Sequence, residues 1–263
     1  MTSFKLYKPR LVGQFIEVFL KAKCKLCLKE SELINSHIIP EYFYKPMYDD
    51  KHRFMQISTI PEEQTEFHQK GVREYLLCDK CEQQFSKYER YVSQTYYYKK
   101  AKDMQQNNKI FIAENVEYSL MKLFQLSILW RASISSLEIF GDVKLGPHEE
   151  KTRQMLLAEN PGKDYEYGCM QFAIIMDNNK IADGLIMPPA LFRVDGFKLC
   201  RFTFGGLIWV YVISSHNSQY RWKDFFLLES GRLTIHKKMF EDIRFLMDFG
   251  FDLKKQGKLG RAN

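Results

Sequence analysis

The sequence predicts an α+β fold in three parts: a cysteine-clamped N-terminal module over residues 1–110, a helical linker over 111–165, and a domain over 166–263 built from antiparallel strands and a C-terminal helix. Three observations predict it. Two Cys-x-x-Cys pairs fall in the first third of the chain, apolar side chains recur at helical spacing between residues 115 and 160, and from Tyr167 onward short aliphatic and aromatic runs alternate with turn residues.

In chain order, an apolar stretch over residues 11–20 is expected to open as a helix, followed by the first cysteine pair and by short strands over 33–39 and 54–57. The second pair should open a helix. Residues 82–98 contain no Gly or Pro, and Glu82, Phe85, Glu89 and Val92 fall at helical intervals. Cys78 and Cys81 then sit at the positive N-terminal end of that helix, which favours the thiolate form. Asn115 is a candidate cap for the next helix, along which Leu120, Leu123, Phe124, Ile128 and Arg131 trace one face; a further helix is expected over 148–159, after Gly146-Pro147. Strands are expected over 169–176, 181–187, 191–194, 197–204 and 207–214, separated by Asp177-Asn178-Asn179, Pro188-Pro189, Asp195-Gly196 and Gly205-Gly206. The Asp-Gly and Gly-Gly links predict tight antiparallel hairpins. Residues 237–247 read as an amphipathic helix ending at Gly250, ahead of a basic tail with Lys254, Lys255, Lys258 and Arg261.

Composition bounds the class of protein. With 45% hydrophobic and 27% charged residues, 263 residues can bury one large core or two modest ones. The most apolar stretch, 120–130, is interrupted by Lys122 and Gln125 and stopped by Arg131, so no segment reaches the roughly 20 apolar residues of a membrane span. The opening Met-Thr-Ser-Phe-Lys lacks the apolar core of a signal peptide, and six cysteines is ordinary usage; both point to a reducing, cytoplasmic setting without a membrane partner. A net charge of +7 suits a polyanionic partner without requiring one.

The cysteine pairs carry the strongest chemical signal. Cys24-Lys25-Leu26-Cys27 and Cys78-Asp79-Lys80-Cys81 each supply two thiolates from a tight turn, and together they provide the four sulfurs of a closed structural zinc site. The Lys inside each pair offsets part of the negative charge that four thiolates leave on one divalent ion. Redox or disulfide use is the competing reading, and a reducing compartment weighs against it. Cys169 and Cys200, in apolar runs, read as ordinary buried thiols.

His37 is the candidate catalytic group. It ends a short apolar strand ten residues after Cys27, in Ser36-His37-Ile38-Ile39-Pro40, where a metal-held hairpin would fix its imidazole; a histidine that merely packs a turn is the alternative. Taken with the cysteine pairs and Leu77-Cys78-Asp79-Lys80-Cys81-Glu82, the pattern resembles the zinc-containing HNH, or His-Me finger, endonucleases. The resemblance covers about 80 residues. It implies a ββα-metal, treble-clef-like module in which zinc on four cysteines staples hairpin to helix and a separate catalytic Mg or Mn ion lies between strand and helix. His37 would then activate the attacking water, Ser36 stands at the position of an acidic metal ligand, and Glu82 stands where an Asn or His ligand follows the last cysteine. Glu41, Glu74 and Glu89 are the carboxylates able to replace the charge missing at Ser36, with Glu89 preferred because it lies two turns along the helix face of Glu82. The 50 residues between Cys27 and Cys78 leave room for an insertion over 41–71.

Lys87, Arg90, Lys99, Lys100 and Lys102, interleaved with Tyr88, Tyr91 and Tyr96-Tyr97-Tyr98, form a candidate surface for nucleic acid, which the resemblance implies is DNA; a solvated helix face with packed tyrosines is the plain alternative. Two functions follow: a metal-dependent endonuclease, with phage defence suggested by analogy alone, or a noncatalytic zinc module that binds nucleic acid or protein. The strand-rich C-terminal region has no nucleotide-binding loop or nucleophile elbow, and His216 and His236 stand alone, so it reads as scaffold, sensor or surface for a protein partner.

Overall fold

In a computed structural model, which describes residues 20–58, 60–97, 105–216 and 222–258, β1 (Leu20–Lys23) and β2 (Glu30–His37) form an antiparallel pair. The expected opening helix over 11–20 lies outside the described residues except for Leu20, which begins β1. After β2 the chain makes 3-10 turns at Glu41–Phe43 and Lys45–Met47 and a small hairpin of β3 (Phe54–Gln56) and β4 (Glu66–His68). It returns as β5 (Arg73–Cys78), antiparallel to β2, with His37 opposite Arg73 and Leu33 opposite Cys78. Helix α1 (Asp79–Tyr91) starts directly from β5 and runs on through a π-helical turn, Val92–Tyr97. Two antiparallel strands therefore lead into a helix, with residues 41–71 inserted between the strands.

The next strands are β6 (Gln105–Gln106) and β7 (Ile110–Ala113), followed by α2 (Tyr118–Ile134) and α3 (Pro147–Leu157). Then come β8 (Cys169–Ile175), β9 (Met187–Val194), β10 (Phe197–Phe204), β11 (Leu207–Val212), β12 (Leu233–Met239) and α4 (Arg244–Lys255). The large sheet has the order β6-β7-β12-β8-β11-β10-β9 and is antiparallel except where β12 runs parallel to β8. It thus recruits β6 and β7 from residues 105–113, well before the strand-rich region expected from residue 166.

Both faces of this sheet are covered. Cys169, Ala173, Phe204, Trp209 and Tyr211 face a core shared with α1 and α2, whereas Met170, Ile174, Val210 and Val212 pack with Phe226, Ile243 and Leu246 on the other side. Double coverage explains why Leu207–Val212 is apolar at every position instead of alternating.

Helix α2 differs from the one-faced helix its sequence suggests. Every residue from Met121 to Ser133 is buried, because the helix runs between α1 and α3 and the large sheet, with Phe124 against Trp209 and Trp130 edge-on to Phe85. Its polar residues therefore need internal partners. Lys122 donates to the carbonyls of Asp164 and Tyr167 at 3.3 and 3.2 Å, and burial lowers its pKa to about 8.

The other departures have local causes. Asn115 does not cap α2; it takes a left-handed conformation (φ 58°), and Glu117 occupies the cap position. Of residues 181–187 only Ile181, in an isolated bridge, and Met187, the first residue of β9, are paired, and β9 runs on through Pro188 and Pro189, which it tolerates as an edge strand with no partner on one side among the described residues. The final helix begins at Arg244, since Lys237–Met239 belong to β12, and it continues through Gly250. The Asp195-Gly196 and Gly205-Gly206 links do form tight hairpins, with positive φ at all four residues as a type I′ turn requires.

Candidate metal centre and histidine site

The first cysteine pair sits in a turn after β1. The turn is closed by Leu28 N–H donating to the Cys24 carbonyl and Cys24 N–H to the Lys29 carbonyl, both at 2.9 Å, with Leu28 in a left-handed conformation (φ 61°). Lys25 N–H donates to the Leu76 carbonyl, which fastens the turn to β5. The second pair straddles the start of α1: Cys78 is the cap residue and Cys81 lies in the first turn. All four sulfurs lie within 4.8 Å of one another. The Cys27 and Cys78 Sγ atoms are 3.8 Å apart, matching the edge of about 3.8 Å for a tetrahedron of sulfurs about 2.3 Å from a central zinc. No disulfide links them. Without a cation, burial raises the Cys24 and Cys81 thiols; at the more exposed Cys27, burial is outweighed by the Lys29 backbone N–H and the neighbouring thiols. The donor set fits zinc, whose binding would turn these thiols into thiolates. Lys25 and Lys80 project outward, where they can offset the negative charge.

At the far end of β2, two groups converge on His37 Nε2. Arg73, opposite in the β2–β5 register, approaches with Nε at 2.8 Å, and the Glu41 carboxylate makes contact through Oε2. Glu41 is in turn held by the Tyr48 hydroxyl, which donates to Oε1, and by Gly71 N–H at 3.4 Å from Oε2. Arg73 Nη2 lies 3.7 Å from the same Glu41 oxygen. Glycine is required at position 71, since a Cβ there would come within 2.5 Å of the Tyr44 ring. Burial, then the Arg73 charge, lowers the His37 pKa to about 4, with Glu41 opposing. Burial works against ionisation of Glu41, but the Tyr48 hydroxyl, His37, Gly71 N–H and Arg73 together hold its carboxyl below the usual range. The ring is therefore neutral at pH 7, with one nitrogen unprotonated.

The backbone of His37 is fixed from another direction. Arg131 of α2 donates through Nη1 to the His37 carbonyl at 2.6 Å and through Nη2 to Glu89 Oε1 at 2.7 Å, while its Nε reaches the Ser127 carbonyl. Its guanidinium lies over the Phe85 ring and is almost wholly buried. Glu89 thus lies in the site as the ion-pair partner of Arg131; burial raises its pKa, Arg131 opposes, and the neighbouring Glu82 charge adds to the rise. Glu82, in the first turn of α1, has a buried Oε2 with no hydrogen-bond partner among the described residues. An unpartnered buried carboxylate oxygen suits a cation.

Ser36 is buried and donates to the Ile34 carbonyl, so it turns away from any ligand role. Glu74 is committed elsewhere, accepting from Ser135 Oγ and from Ser136 N–H and Oγ beyond the end of α2. Of the three carboxylates weighed for the charge missing at Ser36, Glu41 is the one against His37. Sequence reasoning missed Arg73, Tyr48 and Arg131 altogether. Only the strand register brings Arg73 to His37, and no local pattern marks the other two.

On the basic surface, Tyr88 is buried with its hydroxyl against Glu159, Tyr91 accepts from Glu117 N–H, and Lys87 pairs with Glu159 at 3.8 Å. These side chains pack the module in place. Tyr98, Lys99, Lys100 and Lys102 lie outside the described residues. Cys169 and Cys200 are buried thiols, and burial pushes Cys200 up to about 12. No helix among the described residues is long and apolar enough to cross a membrane.

Fold and site together define an α+β protein whose N-terminal strand-strand-helix unit carries a four-cysteine cluster able to hold a metal ion such as zinc. No family model, curated protein or solved structure matches the chain.

Proposed function

We propose that this chain is a metal-dependent endonuclease of HNH type that hydrolyses DNA phosphodiester bonds. The observation that carries the reading is the connected set at the end of β2: His37, fixed through its carbonyl by Arg131, which also pairs with Glu89, on the same helix as Glu82, whose buried Oε2 has no hydrogen-bond partner among the described residues. A histidine at the end of the first strand and a carboxylate directly after the last cysteine are the positions that the family resemblance assigns to the base and to a metal ligand.

The chemistry divides among these residues. His37, neutral at pH 7, accepts a proton from water as the water oxygen bonds to phosphorus. Arg73 offers a guanidinium to a non-bridging phosphate oxygen. Glu82, with Glu89 held beside it by Arg131, would hold a hard divalent cation such as Mg or Mn. That ion, when bound, would neutralise phosphate charge and stabilise the leaving oxygen. Zinc at the four cysteines would be structural, joining the first turn to the start of α1.

A plasmid-nicking assay with Mg or Mn tests the reading. The wild type is expected to nick DNA and His37→Ala to lose activity by about 10²-fold or more. Nicking that survives in His37→Ala would remove His37 as the base. Absence of nicking with either metal would favour the second reading, a noncatalytic zinc module, which the presence of Ser36 and Glu82 at ligand positions supports. A role in phage defence rests on analogy alone, and unchanged phage sensitivity of a deletion strain would count against it.

A further inference from the structure

We infer that the large sheet, on the face turned away from α1 and α2, holds a binding site for a small neutral aromatic molecule carrying one hydroxyl group, with His236 as its polar anchor. The inference goes beyond the nuclease reading and does not depend on it.

Strand register builds the site. Across the order β12-β8-β11-β10-β9, His236 lies opposite Phe172, Met170 opposite Val210 and Leu199 opposite Phe192, and all six line one cavity of about 290 Å³. Val194 on β9 completes the lining together with Trp222 and Phe225, which flank the 3-10 turn Lys223–Phe225. Both of these rings are braced: Trp222 stands edge-on to Phe197 at 5.6 Å between ring centres, and Phe225 edge-on to His236 at 4.5 Å. Met170, Leu199 and Val210 are buried, whereas Phe192 is 37% exposed and marks the open side. Packed interiors leave few voids larger than a water molecule, because atoms around an empty space lose their contacts. A cavity of this volume falls at the small end of ligand pockets, which run from about 300 to 1,000 Å³.

The lining dictates the guest. It contains no Asp, Glu, Lys or Arg, so an ionised ligand would give up its hydration without meeting a counter-charge. Phe172, Phe192, Trp222 and Phe225 present aromatic surface, against which a flat ring packs edge-on or offset. One polar atom lacks a partner: His236 Nε2 is buried and makes no hydrogen bond among the described residues. Burial and the Lys238 charge both lower the His236 pKa, which keeps the ring neutral at pH 7. A hydroxyl group both donates and accepts, so it satisfies that nitrogen whichever tautomer the ring holds. A hydrocarbon of the same shape would leave it bare.

Titration calorimetry of the full-length protein at pH 7 tests the site, with 2-naphthol, a neutral two-ring phenol, as the probe. Saturable binding at one site per chain is expected. Affinity should be about 10-fold higher than for 2-methylnaphthalene, which keeps the shape without the hydroxyl, and about 10-fold or more above that for 2-naphthalenesulfonate, which carries a charge. His236→Phe should bring 2-naphthol down to the level of 2-methylnaphthalene and leave the hydrocarbon's own affinity within about twofold. Val194→Trp, which adds bulk on the edge strand, should abolish binding of all three. If that variant fails to fold, nuclear Overhauser contacts between 2-naphthol and the Met170 methyl group of the wild type locate the probe instead, and their absence would refute the assignment. No saturable binding of 2-naphthol, tighter binding of the sulfonate, or equal affinity in His236→Phe and wild type would overturn the inference. So would a folded Val194→Trp protein that still binds, or saturation by 1-decanol with none by 2-naphthol, which would give the cavity to an alkyl chain.

Discussion

Arg131 shows how a single side chain can join distant parts of a site. It is buried, donates to the His37 carbonyl from 94 residues away, and neutralises Glu89 on α1. Removing it leaves a buried carboxylate without its counter-charge and a backbone carbonyl without its donor. Arg131→Met is therefore expected to cost about 3–5 kcal/mol in urea unfolding, whereas Glu89→Gln, which keeps an acceptor for Arg131, should cost clearly less. Equal losses would mean that the ion pair is not what Arg131 contributes. At this scale the sequence is legible only where chemistry is local. The Cys-x-x-Cys spacing, His37 after its strand and Glu82 after Cys81 can be read from neighbours in the chain. The partners of His37 cannot: Arg73 is 36 residues away and meets it through strand register, and Glu41 reaches Nε2 only because the chain turns sharply after Pro40. Helix spacing favoured Glu89 over Glu41 because it does not register Arg131, which comes from another element.

Among the elements, hairpins with two-residue turns are the most legible, since the turn residues themselves dictate positive φ. Gly205 is needed twice over. Its φ is +61°, and a Cβ would come within 2.4 Å of the Phe43 ring, which follows closely on Glu41 and packs on Phe204. Gly205→Ala is expected to destabilise the protein by about 2 kcal/mol, measurable as a lowered urea midpoint; a neutral effect would mean that Phe43 yields easily. The element least legible is β12. Its alternation of buried and partly buried residues, Leu233 to Met239, is interrupted by His236, Lys237 and Lys238, and its parallel partner β8 lies some 60 positions earlier. Helix α2 is legible as a helix of the core but not in its full enclosure, because burial on every side erases the polar face by which a surface helix is recognised.

Across the whole molecule, α2 joins the cysteine-bearing unit and the large sheet in one continuous core, so titration at His37 should register in global stability. The His37 pKa falls from 6.5 to about 4 on folding. Between those values the unfolded chain binds a proton that the folded chain does not, so stability is fully present above about pH 6.5 and declines as the pH drops toward 4, by at most about 3 kcal/mol. His37→Gln should flatten that part of the stability profile, and an unaltered profile would show that other groups govern it. With a metal ion bound, the packing of the turn after β1 against the start of α1 would depend on the four sulfurs, which lie within 4.8 Å of one another. That dependence is tested most directly by the metal content and X-ray absorption of protein purified without added metal. One zinc per chain, with four sulfur neighbours at about 2.3 Å, is the predicted result; free thiols without metal, a disulfide, or a zinc shell of nitrogen and oxygen would contradict it.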